Sequence, residues 1–97
     1  MKNLKRVKEL ARDLRHEEPR ASSEELAGES HAARALDKCR ATFVGCEGEF
    51  KFGCAMDQHF FAETGIDMQK FQDFVATGAD DNEVEIWLRE HQHSSRK

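Results

Sequence analysis

Twice in the last third of the chain a glycine is followed two residues later by an aspartate, at Gly65-Ile66-Asp67 and at Gly78-Ala79-Asp80. A glycine ends a helix by taking the left-handed conformation, and an aspartate starts the next by accepting from a free amide. The two steps therefore divide the region into three short helices: residues 57–64, residues 68–77, and a last one after Asp80. Met68, Phe71, Phe74 and Val75 share one helical face, and Val84, Trp87 and Leu88 share another. Asp80 and Glu83 have the spacing of a capping box.

Upstream, Leu4, Val7, Leu10, Ala11 and Leu14 mark an amphipathic helix within residues 1–18, which Pro19 terminates. Ser22 and Glu25 repeat the capping-box spacing, Gly28 weakens a helix there, and Ser30 offers an N-cap for a helix over residues 31–41. Thr42 to Val44 and Glu49 to Phe52 favour strand, with Gly45 and Gly48 bracketing the connection, so a β-hairpin is expected between the second and third helices. Its Phe50 and Phe52 face needs helices to lie on. The expectation is an α+β fold, mainly helical, with about five helices and that one hairpin. At 97 residues it is a single domain, with a core over residues 20–92 and a frayed tail at residues 93–97.

The charge of −4 is uneven. Residues 1–20 carry seven Lys and Arg against four Asp and Glu, so the remainder of the chain is acidic. With a sequence pI of 5.7, nucleic-acid binding is a minority reading, confined to Lys2, Lys5, Arg6, Lys8 and Arg12. The same helix suits packing on the domain, or else docking or dimerisation. No apolar run reaches the roughly 18 residues of a membrane span. Three cysteines without a preceding apolar leader point to a cytoplasmic protein with reduced thiols.

The segments ARALDKCRA, GEFKFGCAMDQHFF, TGID and TGADDNEVEIWL, in this order, resemble the bacterial family known as domain of unknown function 5069. The resemblance covers residues 20–88. It rests on Leu26 to Gly28, on Asp37, Lys38 and Arg40, on Glu49 and Phe50, on Asp57, Phe60 and Phe61, and on Gly65, Ile66 and Asp67. Where the family usually carries a glycine pair after that leucine, this chain has Ala27-Gly28, and Pro19-Arg20-Ala21-Ser22 stands where it often reads Arg-Ser-Pro. The resemblance implies a small, mainly helical bacterial protein and no particular activity.

Three sets of residues carry chemistry. Asp37, Lys38 and Arg40 read either as a solvated helix face with weak i,i+3 pairs or as a contact for a carboxylate, phosphate or partner. Extended by Glu49 and Asp57, they form the expected surface of a non-enzymatic binding or regulatory module that engages another macromolecule or self-associates. Cys54 precedes a helix, where free amides and the dipole lower a thiol pKa, and with His59 or Asp57 it would make a small thiol-dependent enzyme or redox protein. Cys39, Cys46, Cys54 and His59 (or His31) lack the close ligand pairs of structural zinc sites, and His91 with His93 binds metal at most adventitiously. No cofactor is implied. Phe60, Phe61, Phe71, Phe74 and Trp87 recur at helical spacing without interleaved basic residues, which marks core rather than a base-stacking platform.

Overall fold

A computed structural model describes residues 2–92; the expected frayed tail at residues 93–97 lies outside them. Five helices and one short hairpin follow in the order α1 (Leu4–Leu10), β1 (Glu25–Leu26), β2 (Glu29–Ser30), α2 (Ala32–Val44), α3 (Ala55–Thr64), α4 (Met68–Val75) and α5 (Asp81–His91). The fold is mainly helical with a small β element. Among the described residues no helix is long and apolar enough to cross a membrane.

The central element is α2. Nine of its residues are buried, including Ala32, Ala33, Ala35, Leu36, Cys39 and Ala41, so it is enclosed on nearly every side rather than lying on a surface. The small side chains let neighbouring elements approach closely. Leu26, Phe60, Phe61, Ile66, Phe71, Val75, Val84 and Leu88 complete one continuous core with Leu36 and Cys39. The aromatic residues expected there are found there. Phe71 meets Phe61 at 5.2 Å and Trp87 at 5.9 Å between ring centroids, which is the range of favourable aromatic pairs.

The helix starts in the last third follow the sequence. The Asp67 side chain accepts from the Lys70 amide, Gly65 closes α3 in the left-handed conformation, and Asp80 with Glu83 forms a complete capping box. Helix α3 begins at Ala55, one half-turn before the expected residue 57, with Cys54 in the N-cap position.

The hairpin is elsewhere than expected. Thr42 to Val44 continue α2, Gly45 is the left-handed C-cap of that helix, and residues 46–54 form turns and loop. Helix continuation outweighs strand propensity here. Thr42 returns its hydroxyl to the Lys38 carbonyl at 2.8 Å, and Gly48 (φ +56) lies so close to the Leu14 carbonyl that a Cβ would meet it at 2.9 Å. Phe52 still packs on Phe61 and Phe71, though from a loop.

The actual hairpin falls between α1 and α2, pairing Glu25 with Ser30 and Leu26 with Glu29 in antiparallel register. Neither Ser22 nor Ser30 starts a helix. Ala27 and Gly28 both take positive φ at the tip, at +59° and +76°, as a two-residue hairpin loop requires. Alanine there costs about 1–2 kcal/mol. Two contacts offset it: the Ala27 amide donates to the Glu85 carboxylate at 3.1 Å, and its methyl group is buried.

Helix α1 is shorter than its apolar pattern, because Ala11 turns to extended backbone. The pattern still finds the core, with Val7 fully buried and Leu14 nearly so. The Asn3 amide bonds the Ala76 carbonyl at 2.7 Å, and Arg6 Nε bonds the Gly78 carbonyl at 3.1 Å, so α1 packs on the domain.

Candidate functional site

Asp57 lies in the first turn of α3 and is fully buried. A carboxylate so placed must be neutralised by partners. It has three: His31 Nε2 at 2.6 Å on Oδ1, and Lys38 Nζ at 2.9 Å with the Gly53 amide at 2.9 Å on Oδ2. Burial alone favours the neutral acid, but these donors outweigh it and hold the carboxyl below the usual carboxylate range. An ionised carboxylate at that distance requires the proton on His31 Nε2. Nδ1 is then the acceptor of the neutral ring, and Ser22 Oγ stands 3.2 Å from it.

Lys38 reaches a second group. Its Nζ donates to Cys54 Sγ at 3.1 Å, while its side chain is 5% exposed. Desolvation raises the Cys54 thiol pKa, but the amides of Asp57 and Met56 at the start of α3, with the Lys38 ammonium, lower it further, and the net shift is downward. Cys54 is exposed to solvent. One carboxylate thus organises a chain of polar groups: Ser22, His31, Asp57, Lys38 and Cys54.

A second, partly buried cluster ties the middle of α2 to α5 and to the Arg20 segment. Arg20 donates from its backbone and guanidinium to Asp37, with contacts of 2.8–3.2 Å, and also to Asp81 at 3.0 Å. Arg40 donates to Asp81 at 2.9 Å and to the Ala79 carbonyl at 3.0 Å. Burial raises the Asp81 pKa, yet Arg20 and Arg40 pull it down on balance. A hollow of 440 Å³ beside the cluster is lined by Arg12, Arg20 and Arg40 and equally by Asp37, Asp80 and Asp81, so it offers an anion no net attraction. The cluster reads as a clamp.

The sequence-derived candidates therefore divide. Asp37, Lys38, Arg40 and Asp57 are all brought inside, where Asp37 pairs with Arg20 rather than with Arg40. Glu49 remains exposed. Of the thiol set, Asp57 and Cys54 are joined through Lys38, whereas His59 points to solvent and pairs with Glu63 at 3.3 Å. Cys39 is buried in the core, which pushes its thiol pKa far up, and Cys46 bonds the Arg12 carbonyl. Among the described residues no three His, Cys, Asp or Glu side chains converge as metal ligands. Sequence reasoning missed Ser22, His31, Arg20 and Asp81 as members of these clusters. Ser22 and His31 are nine residues apart and Arg20 and Asp81 sixty-one, separations that no helical or strand periodicity relates.

Residues 16–97 match the family described as Domain of unknown function (DUF5069). The chain belongs to this family. Among curated proteins no sequence matches it. Both clusters and the Cys54 thiol lie within the DUF5069 span, and α1 lies before it.

In this DUF5069 protein Asp57 and Asp81 have folded-state pKa values below their unfolded ones. Their stabilisation is fully present above the unfolded carboxylate pKa, about 3.9, and is lost as pH falls through the folded values. Urea unfolding followed by circular dichroism should give a midpoint insensitive to these groups between about pH 5 and 7 and falling steeply below about pH 4. Replacing Asp57 and Asp81 should flatten the acid limb, and an unchanged limb would assign the loss to other carboxylates.

Proposed function

We propose that the protein is a regulatory module whose responsive group is the Cys54 thiolate. The observation that carries this reading is the 3.1 Å contact from Lys38 Nζ to Cys54 Sγ, with Lys38 held in place by the buried Asp57. A lysine in solvent would lose entropy and hydration to stay beside a thiolate; one already locked by a carboxylate is preorganised. The start of α3 adds its free amides and dipole. Asp57 acts as the positioning residue, through Lys38, and His59 takes no part.

The reaction such a thiolate performs is exchange with a disulfide. Cys54 Sγ attacks one sulfur, a new S–S bond forms, the old one breaks, and the second sulfur leaves as a thiolate that takes a proton from water. The product is a mixed disulfide between Cys54 and a small thiol or a partner's cysteine. Both hydrophobic burial and a high pKa keep Cys39 out of this chemistry. The alternative of a partner surface built from Lys38, Arg40, Glu49 and Asp57 is left with Glu49 as its exposed member.

Alkylation by iodoacetamide, resolved by peptide mass spectrometry, tests the reading. A tenfold gain in thiolate is partly offset by weaker nucleophilicity, leaving about a threefold net gain in rate. At pH 6.5 Cys54 in the folded chain should react several-fold faster than the same cysteine in urea. Equal or slower reaction in the folded chain would remove the proposal.

A further inference from the structure

We infer that Ser22, His31 and Asp57 form an acyl-transfer site for esters with a short apolar acyl group, a second activity that does not rest on the Cys54 reading. The three side chains have the connectivity that nucleophilic catalysis needs: a nucleophile bonded to a base, and the base oriented by a third group. Asp57 fixes the His31 proton on Nε2 at 2.6 Å, which leaves Nδ1 to accept the Ser22 hydroxyl proton at 3.2 Å. The ring nitrogens exchange the roles they have in serine proteases, but recognition of such a triad rests on geometry and roles.

Two further observations belong to the same place. His31 holds φ at +74°, a strained conformation for a non-glycine residue and one that gathers at functional sites. Its amide bonds the Ser22 carbonyl at 2.7 Å, so the nucleophile and base are tied through backbone as well as side chain. A cavity of 360 Å³ opens beside them, lined by Ser22 and His31 together with Ala55, Met56 and Phe60 among others. Met56 and Phe60 provide apolar walls for an acyl chain. Ala55 is the first residue of α3 and lines this cavity, and a helix leaves its first amides without intrahelical partners, so free N–H groups at the start of α3 are available to a carbonyl oxygen there.

In the reaction Ser22 Oγ attacks the acyl carbon and its proton passes to His31 Nδ1. The bond to the alcohol oxygen breaks, and the alkoxide leaves with that proton. Water, deprotonated by Nδ1, then attacks the acyl-serine; the acyl C–Oγ bond breaks, the proton on Nδ1 returns to Ser22 Oγ, and the carboxylic acid leaves. Ser22 and His31 are the catalytic residues, and Asp57 positions the imidazole.

A fluorophosphonate probe and p-nitrophenyl butyrate, used on the full chain, test this. The probe should lose fluoride and leave one adduct, mapped by peptide mass spectrometry to Ser22. Ser22→Ala should abolish both the adduct and ester turnover while keeping the parent's circular dichroism. His31→Gln should slow labelling by about a hundredfold or more, the lower end of a general base's contribution; if that variant does not fold, the Ser22→Ala comparison decides. A folded parent that gains no adduct at Ser22, an adduct on Cys54 instead, or Ser22→Ala hydrolysing the ester at the parent rate would each overturn the assignment.

Discussion

Lys38→Glu combined with Arg40→Glu is expected to leave a chain that does not fold at 25 °C. As a solvated pair on a helix face, these residues would tolerate reversal with little loss. Each is instead 4% exposed, Lys38 against Asp57 and Arg40 against Asp81. Breaking a buried pair by removing one partner costs about 3–5 kcal/mol, because the other charge stays buried without compensation. Reversal adds repulsion between two carboxylates in a medium that screens them poorly. The Arg40 contribution is smaller, since Asp81 is half exposed, though the bond to the Ala79 carbonyl is lost as well. The two losses have separate partners and should add. Their sum approaches the whole stability of a domain of this size, about 5–15 kcal/mol. Far-UV circular dichroism is the measurement. A cooperative urea transition at the parent's midpoint would place both side chains in solvent and contradict the fold around α2.

Phe71→Ala is expected to cost about 3–5 kcal/mol, the range for removing a buried aromatic ring and leaving a cavity. The ring is 1% exposed and lies among Phe52, Phe61 and Trp87. At about 4–8 °C per kcal/mol for a domain under 100 residues, the melting temperature should fall by roughly 12 °C or more. Thermal unfolding followed by circular dichroism checks this. A drop of only a few degrees would mean that the loop carrying Phe52 collapses into the space.

The family assignment and the helical character were both legible in the residues, and so was the aromatic core, since Phe60, Phe61, Phe71 and Trp87 lie where helical spacing puts them. The strand reading of Thr42 to Val44 and Glu49 to Phe52 went wrong for a definite reason. β-propensity measures fit to a half-buried sheet surface, and among the described residues the sheet is the pair of two-residue strands at Glu25–Ser30, which these segments do not join; α2 runs on to Gly45 instead. The hairpin at residues 25–30 hid behind a capping-box spacing, and its tip uses an alanine where glycine would be the readable signal. At the site, the sequence singles out Lys38, Asp57 and Cys54 but not their connection through Lys38 Nζ, and it offers Ser22 only as a cap and His31 only as a spare ligand.

Helix ends in the last third are settled by bonds between residues no more than four apart, as with Asp67 to Lys70 and Asp80 to Glu83. Local chemistry is enough for those, so the sequence by itself determined them. Charge pairing is different. A charged side chain in water has little reason to prefer one partner, and adjacency on a helix suggested Asp37 with Arg40. Once α2 is enclosed, each charge must find a counter-charge among whatever elements cross it. Only the crossing of α2 with α3, α5 and the Arg20 segment decided that Asp37 meets Arg20, Arg40 meets Asp81, and Asp57 lies between His31 and Lys38.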